Sequence, residues 1–275
     1  MAATWTTGIV ASGGEDIYWE YSAVPTSDGH PNIEQPVVVL THGAGGSHAV
    51  WFQQVPALLD AGFGVVTWDS RGFGNSTYRS GALGATEAAS DLEAVLDALQ
   101  ISEPVHLVGQ SMGGWYVTEF ALSRPERTRS LALCDTIGSL FTDELREAMV
   151  EFGRRGGLAG GGGPAQVGAT IAAGRADTTR GFLYQQLGTF HTPPLQEIGT
   201  VLSETIHTPE EVSALGVPVL VLAGDSDPIF PPGPLRNMAQ LLTSATFVEI
   251  ADAGHSPYFE QPEAFNQALL RFLQA

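Results

Sequence analysis

The chain contains no lysine. All 12 of its basic residues are arginines, and 30 acidic residues oppose them, so its 275 residues carry a formal charge of −18 at pH 7. Because an acidic surface repels phosphate groups, this composition argues against binding to nucleic acid or to an anionic membrane. Chemistry that requires a lysine amine, such as a Schiff base or the phosphate-binding lysine of a P-loop, is excluded.

Cysteine and long apolar segments are scarce as well. Cys134 is the single cysteine, so no internal disulfide can form, and the apolar residues before it predict that it is buried. No segment approaches the roughly 18 apolar residues of a membrane-spanning helix, and the sequence does not begin with a signal-peptide pattern. We therefore expect a cytoplasmic protein that does not enter a membrane. His191 and His207 lack the spacing of metal ligands, so we expect neither a metal nor another cofactor.

Short apolar runs alternate with helix-like segments, which is typical of an α/β fold. With 43% hydrophobic residues, the chain can bury a large core. Continuous Val/Leu runs predict strands buried on both faces of a parallel sheet, and residues 4–10 and 16–24 alternate as an antiparallel hairpin does. The runs are 37–41, 65–68, 105–108, 131–134 and 217–223, and the predicted helices are 86–99, 115–122, 235–242 and 262–273.

The alternation of strands and helices breaks between residues 136 and 211. This segment has no strand-like run, and its residues 156–164 form a glycine-rich tract that ends in proline and cannot hold regular structure. An inserted helical subdomain explains the break better than a second independent domain. We predict a core domain of residues 1–135 and 212–275, with residues 136–211 as a helical cap.

Ser111 is the first residue that indicates chemistry. The run 105–108 leads into Gly109-Gln110-Ser111-Met112-Gly113-Gly114, and a predicted helix follows. This is the pattern G-x-S-x-G in a strand–turn–helix context, where the glycines permit a tight turn that exposes the serine hydroxyl. Free backbone N–H groups at that helix N-terminus favour a developing negative charge, so the N–H of Met112 is the expected first donor of an oxyanion hole.

A serine nucleophile needs a base and a carboxylate that orients the base. His255 lies in a glycine- and proline-containing loop just past an apolar stretch, and we expect it to be the base. Asp225, Asp227 and Asp135 are candidates for the acid. Asp225 is also typical of a turn, and Asp135 of a helix cap. We prefer Asp227, because it stands further from its strand and the proline after it restricts the loop, and we keep Asp135 as the main alternative.

The second oxyanion donor must come from the loop after an earlier strand. The run 37–41 leads into His42-Gly43-Ala44-Gly45-Gly46-Ser47, where the glycines let the backbone approach a substrate closely. A phosphate-binding loop is disfavoured, because neither G-K-[ST] nor a ribose-binding acid follows. We expect Gly43 in this loop, and Gln110 beside the nucleophile, to contact the substrate.

Five segments along the chain form one combination. They are His42-Gly43 with Trp51, Asp69-Ser70-Arg71-Gly72-Phe73-Gly74-Asn75-Ser76, Gly109 to Gly114 as above, Gly224-Asp225-Ser226-Asp227, and Gly254-His255 before Pro257. Together they closely resemble the α/β-hydrolase family over nearly the whole chain. The resemblance implies a mostly parallel eight-stranded sheet flanked by helices, with a cap between strands six and seven. It also implies that Ala44 is the second oxyanion donor, that Asp227 is the acid, and that His42, Asp69 and Arg71 are structural.

These features predict a serine hydrolase that cleaves carboxylic esters or lactones of small, largely neutral substrates through an acyl-enzyme. Serine at position 111 separates the chain from the dehalogenases and epoxide hydrolases that the family also contains. Two alternatives stay open: a hydrolase of carbon–carbon bonds in 2-hydroxy-6-oxo-dienoates, and a receptor with slow turnover. The expected partner is the small-molecule substrate, and a homodimer is left open.

The predicted cap contains residues that would suit either reaction, hydrolysis of an ester or lactone or hydrolysis of a carbon–carbon bond. A dianionic dienoate needs cations in its binding site. The net charge of −18 therefore disfavours such a substrate, unless arginines of the cap gather at the pocket. The aromatic residues of the cap could line an apolar site, although core packing is commoner for each of them. The arginines are Arg154, Arg155, Arg175 and Arg180, and the aromatic residues are Phe141, Phe152, Phe182, Tyr184 and Phe190.

Overall fold

The computed structural model describes residues 3–24, 35–154, 178–188 and 192–275. Within them, eight strands form one sheet in the order β1-β2-β4-β3-β5-β6-β7-β8. The pairs β1–β2 and β2–β4 are antiparallel, and all other neighbours are parallel. The strands are β1 (Thr4–Ser12), β2 (Glu15–Ala23), β3 (Val37–Thr41), β4 (Gly64–Trp68), β5 (Val105–Gln110), β6 (Thr128–Cys134), β7 (Val219–Gly224) and β8 (Ala245–Ile250). The prediction of a mostly parallel eight-stranded sheet is confirmed.

Helices flank this sheet. Those before the end of β6 are α1 (Gln54–Asp60), α2 (Ala85–Ala98) and α3 (Met112–Ser123). Between β6 and β7 lie α4 (Asp143–Arg154), α5 (Thr178–Leu187), α6 (Leu195–Glu204) and α7 (Pro209–Ala214), and after β7 come α8 (Pro232–Gln240), α9 (Pro257–Glu260) and α10 (Pro262–Leu273). No helix within the described ranges is both long enough and apolar enough to cross a bilayer.

The central strands are buried on both faces, as their continuous apolar sequences predict. In β3, Val37 and Val39 pack into one apolar cluster together with side chains of α2 and α3. Val38 and Leu40 pack into a second cluster on the opposite face, with side chains of α1 and α10. Successive side chains of a strand point to opposite faces, so a continuous apolar run supplies two layers of core at once. Cys134, at the end of β6, is fully buried, and this burial raises the pKa of its thiol.

Several element boundaries differ from the sequence-based ones, and two of these differences lie on either side of Ser111. β5 continues through Gly109 and Gln110, because the ladder to β6 uses backbone groups and does not require apolar side chains. α3 begins at Met112, three residues before the predicted start at 115. Its first turn contains Gly113 and Gly114, which have no apolar signal but are required by close packing. A Cβ on Gly114 would lie 2.3 Å from the Thr136 side chain.

Several described side-chain hydrogen bonds join the segment between β6 and β7 to the rest of the chain, among them those of Trp115 and Ser256. The indole Nε1–H of Trp115, on α3, donates to the carbonyl oxygen of Leu202 at 3.0 Å. The hydroxyl groups of Tyr184 and Ser256 are hydrogen-bonded at 2.8 Å. The division of the chain into a core domain and a cap stays a prediction. The glycine-rich tract 156–164 lies outside the described residues.

Candidate active site

Ser111 occupies a strained turn between β5 and α3. Its backbone angles are φ 50° and ψ −119°, a region that costs a residue with a side chain on the order of 1–3 kcal/mol. Close packing around the turn requires glycine on both sides. A Cβ on Gly109 would lie 2.4 Å from the carbonyl oxygen of Gly113, and one on Gly113 would lie 2.5 Å from that of Thr41. The N–H of Ser111 donates to the carbonyl of Cys134 at 3.0 Å, which ties the turn to β6.

His255 and Asp227 lie together at the carboxyl edge of the sheet. The Nδ1 atom of His255 is 2.8 Å from Oδ2 of Asp227. The other carboxylate oxygen of Asp227, Oδ1, accepts the backbone N–H groups of Ile229 at 2.8 Å and of Phe230 at 3.2 Å. A carboxylate can only accept, so in the neutral imidazole of His255 the proton is on Nδ1 and Nε2 has a free lone pair. This is the tautomer that a general base requires.

The other two candidate aspartates have different partners. Asp225 accepts the backbone N–H groups of Asp252 at 3.0 Å and Ala253 at 3.3 Å, so it braces the loop before His255. Asp135 is fully buried and accepts the N–H of Gly224 at 2.8 Å through Oδ1. Burial, and after it the charge of Asp227, raise the pKa of Asp135 well above its usual range. Asp227 is therefore the candidate that bonds to the imidazole.

The loop after β3 brings Ala44 to the site. Ala44 and Met112 line the same cavity as Ser111. The loop turns at Gly45, whose φ is 79°, and the N–H of Gly46 closes the turn on the carbonyl of Gly43 at 3.0 Å. Both expected oxyanion donors therefore belong to residues on the wall beside the Ser111 side chain.

His42 is buried beneath this loop. Its Nδ1 contacts the carbonyl oxygen of Gly43 at 2.8 Å, and its Nε2 accepts the N–H of Ser70 at 3.1 Å. Burial lowers the pKa of His42, which agrees with a neutral ring that donates from Nδ1 and accepts at Nε2. The ring thus joins the loops after β3 and β4.

Gln110 has a partner inside the protein. It is buried, and its Nε2 donates to the carbonyl oxygen of His255 at 2.8 Å, although its side chain also forms part of the cavity wall. Gly43 lies against this side chain, since a Cβ there would be 2.2 Å from Oε1 of Gln110 and 3.0 Å from Cβ of Ser111. Direct substrate contact by Gly43 or Gln110 stays a prediction, and the described contacts make both residues part of the packing that holds His255.

A cavity of about 270 Å³ opens beside Ser111. Its wall combines residues of the sheet edge with residues from the segment between β6 and β7, and most of them are apolar. None of the described lining residues is an arginine, aspartate or glutamate. They are Ala44, Gln110, Ser111, Met112, Trp115, Phe141, Met149, Phe152, Tyr184, Ile198, Gly199, Leu202, Ser203, Ile229, Phe230 and His255.

The cap residues named from the sequence divide into several groups. Phe141, Phe152 and Tyr184 line the cavity, whereas Phe182 is 63% exposed. Arg154 is exposed and lies 3.8 Å from Glu151. Arg155, Arg175, Phe190 and His191, together with the side chain of Arg180, lie outside the described part of the structure.

Sequence reasoning missed several wall residues and one cation. Trp115, Ile229 and Phe230 each lie within four residues of a predicted site residue, and that proximity was the signal that could have identified them. The missed cation is Arg146, whose guanidinium stacks over the ring of Phe141 at 4.7 Å, and Phe141 belongs to the cavity wall. His207 bonds to Glu119 at 2.8 Å. No group of three or more potential metal ligands occurs among the residues that the structure describes.

Comparisons with known proteins agree with this architecture. The profile of the alpha/beta hydrolase family matches residues 38–268. A Mycobacterium tuberculosis protein named as a candidate non-heme bromoperoxidase, BpoC, is 30% identical over 86% of this chain and 92% of its own length. The 3-oxoadipate enol-lactonase 2 of Acinetobacter baylyi is 27% identical over 86% of this chain and 88% of its own. The solved structure of a thermophilic esterase from Thermogutta terrifontis is 28% identical, with a TM-score of 0.76 over 98% of each chain.

Proposed function

The chain belongs to the alpha/beta hydrolase family, and from this membership we propose that it hydrolyses carboxylic esters or lactones of small, largely neutral substrates. The observation that carries the proposal is the 2.8 Å bond between His255 and Asp227 at a cavity that also exposes Ser111. A base held in the correct tautomer beside a serine on a strained turn is the arrangement that acyl transfer needs.

In the proposed first step, Nε2 of His255 takes the proton from the hydroxyl of Ser111, and the serine oxygen attacks the substrate carbonyl. The carbonyl oxygen becomes an oxyanion, which accepts the N–H groups of Ala44 and Met112. Collapse of this intermediate breaks the ester bond, and the imidazolium returns its proton to the leaving alkoxide. Water then attacks the acyl-enzyme with His255 again as base, which releases the acid and restores Ser111.

The cavity supports neutral substrates. Its described wall is built mostly from apolar side chains and carries no arginine, so the carboxylates of a dienoate would meet no arginine among the described lining residues. Arg146 lies behind Phe141 rather than on the wall. We propose that residues 136–211 act as a cap, to which half of the described lining residues belong, among them Met149, Phe152 and Ile198. Homodimer formation stays a prediction.

The test is the variant Ser111→Ala, assayed with p-nitrophenyl butyrate. We expect a loss of kcat of about 10⁶-fold, because removal of the nucleophile leaves only binding and the oxyanion hole. Ser90→Ala, a serine exposed on α2, is the matched control and keeps full activity. A fluorophosphonate probe should add one label to the wild type and none to Ser111→Ala. Full turnover by Ser111→Ala would overturn the proposal.

A substrate panel separates the alternatives. We expect kcat/KM for a neutral ester or lactone to exceed that for a 2-hydroxy-6-oxo-dienoate by at least about tenfold, since an unpaired buried carboxylate is costly. The opposite order would favour carbon–carbon bond hydrolysis. Stoichiometric labelling of Ser111 without measurable turnover of any panel member would favour the receptor alternative.

A further inference from the structure

A second histidine–carboxylate pair lies outside the cavity, at the far end of the loop after β3. His48 begins a short 3₁₀ helix, His48–Trp51, directly after residues 43–47. Its backbone N–H donates to Oδ1 of Asp69 at 2.6 Å. Its ring Nδ1 lies 2.8 Å from the same oxygen and 3.0 Å from Oδ2. One carboxylate therefore holds this residue by its backbone and by its side chain.

Asp69 is well suited to be a fixed point. It is fully buried at the end of β4, and its Oδ2 also accepts the N–H of Asn75 at 2.8 Å. Burial alone would raise the pKa of Asp69, but the hydrogen bond and charge of His48 outweigh it and lower that pKa. The carboxylate is therefore ionised, and its position is determined by the loops after both β3 and β4.

The surroundings of His48 favour its charged form. Burial opposes the charge, but the hydrogen bond to Asp69 and the charges of Asp69 and Glu20 outweigh it, so that the pKa of His48 is raised. Nε2 of His48 lies 3.5 Å from a carboxylate oxygen of Glu20 on β2. The ring of Tyr18 packs against the imidazole at 4.9 Å, and the pKa of its hydroxyl, raised mainly by burial, is about 12. Buried His42 also faces Asp69, and burial lowers the pKa of His42.

Residues 43–47, here called the oxyanion loop, are anchored at both ends by these contacts. At one end, His42 is bonded to Gly43 and to Ser70, and at the other end His48 is bonded to Asp69. Ala44 stands between the two anchors. His48 is not among the residues that line the cavity, so it has no contact with a substrate held there.

We propose that the His48–Asp69 pair is a positioning device for the oxyanion hole, which holds the N–H of Ala44 in place for the transition state. The inference rests on the proposed function, because it assigns Ala44 the second oxyanion donor. A donor stabilises an oxyanion only within about 2.7–3.1 Å, and a misplacement of about 1 Å can cost a factor of 10². Substrate binding in the apolar cavity does not use this donor, so the pair acts on kcat and leaves KM unchanged.

The test compares three variants by steady-state kinetics. His48→Ala removes the ring and should lower kcat by about 10- to 100-fold, with KM unchanged within about twofold. His48→Asn places an amide N–H where Nδ1 stands and should recover most of that loss. His207→Ala is the matched control, since His207 also bonds to a carboxylate, Glu119, at 2.8 Å but not in this loop. It should keep kcat.

Two further readouts distinguish positioning from general loss of structure. The hydroxyl oxygen of Ser111 adds to the carbonyl of a trifluoromethyl ketone, and the resulting oxyanion occupies the oxyanion hole. The affinity of His48→Ala for this inhibitor should fall by the same factor as kcat. Active-site titration with a fluorophosphonate gives the fraction of folded enzyme, to which each kcat is normalised. If His48→Ala, so normalised, keeps kcat and ketone affinity, or raises KM instead, the inference is overturned.

The pH profile supplies an independent check. The charge on His48 stabilises the pair fully below its ordinary pKa of about 6.5, and this contribution is lost as pH rises through the raised value. The neutral ring keeps its Nδ1–H and therefore keeps a hydrogen bond to Asp69, so kcat of the wild type should fall on the alkaline side by less than it falls in His48→Ala. His48→Asn has no charge to lose and should lack this small fall, and a fall of the same size in His48→Asn overturns the inference. The proposed function fails separately, if Ser111→Ala keeps its activity.

Discussion

Replacement of Asp227 by asparagine is expected to inactivate the enzyme by reversing the tautomer of His255. Oδ1 of Asp227 accepts two backbone N–H groups, from Ile229 at 2.8 Å and from Phe230 at 3.2 Å. Each such bond contributes about 1 kcal/mol, so in Asp227→Asn the amide oxygen should keep this position. The amide nitrogen then takes the place of Oδ2, at 2.8 Å from Nδ1 of His255.

Two donors cannot face each other, so the imidazole must move its proton from Nδ1 to Nε2. With Nε2 protonated, His255 cannot accept the proton of Ser111. The same exchange in a Ser-His-Asp triad lowers kcat about 10⁴-fold, which corresponds to about 5.4 kcal/mol of activation free energy. We expect a loss of this size in kcat for p-nitrophenyl butyrate, after subtraction of the rate of Ser111→Ala.

Asp135→Asn is the matched control. Burial, and after it the charge of Asp227, raise the pKa of Asp135 well above its usual range, which favours the neutral form of this carboxyl group. In the native protein the N–H of Gly224 donates to Oδ1 of Asp135 at 2.8 Å, and in Asp135→Asn the amide oxygen can accept the same bond. We expect less than a tenfold change in kcat. A loss of about 10⁴-fold in Asp135→Asn, together with more than about 1% residual activity in Asp227→Asn, would refute the reasoning and make Asp135 the acid.

Three further changes test the surrounding structure. Gly43→Ala should lower kcat by at least about tenfold, because its Cβ would lie 2.2 Å from Oε1 of Gln110 and would push that side chain off the His255 carbonyl; Gln110→Ala should lower kcat by a similar factor, and the double variant should lose little more than either single one, so fully additive losses would contradict this explanation. Arg71→Met should lower the free energy of unfolding by about 3–5 kcal/mol, since it leaves buried Asp91 without the guanidinium that contacts it at 2.6 and 2.7 Å; urea unfolding measures this, and adding Asp91→Leu should restore stability. Burial lowers the pKa of His106 to about 4, so the unfolded chain binds its proton first and stability falls between about pH 6.5 and pH 4, by up to about 3 kcal/mol. His106→Asn should remove that part of the pH dependence, and an unchanged difference between urea unfolding at pH 7 and pH 4.5 would exclude it.

The strands and the tight turn at Ser111 could be predicted from the sequence because their causes are local. Continuous Val and Leu residues in β3 and β7 are stable only where both faces are covered, whichever helices cover them. Gly109 and Gly113 surround Ser111 because the turn leaves no room for a side chain at either position. A motif of this kind specifies its own backbone geometry, so neighbouring residues were enough to identify it.

The wall of the cavity depends on residues far apart in the chain. Trp115, Tyr184 and Phe230 come from α3, α5 and the loop after β7, and only the packing of those elements places them around one space. Apolar periodicity predicts that such residues are buried, but it does not distinguish burial in the core from burial against an empty cavity. The sequence likewise does not show that the side chain of Gln110 is bonded to the carbonyl oxygen of His255, which bears on the substrate contacts predicted for Gly43 and Gln110.

The sequence alone determined the chemical groups of the site: a serine on a tight turn, a histidine in a loop, and no lysine to compete as base. The tertiary structure decided which carboxylate meets the histidine. Asp135 and Asp227 both follow buried strands, so in the sequence only the residues of the loops around them distinguish one candidate acid from the other. The order β6-β7-β8 places Asp227 against the imidazole and leaves Asp135 bonded to Gly224. The loop chemistry and the family resemblance favoured Asp227, but the contact itself depends on strand order, which is set by the burial of the whole sheet.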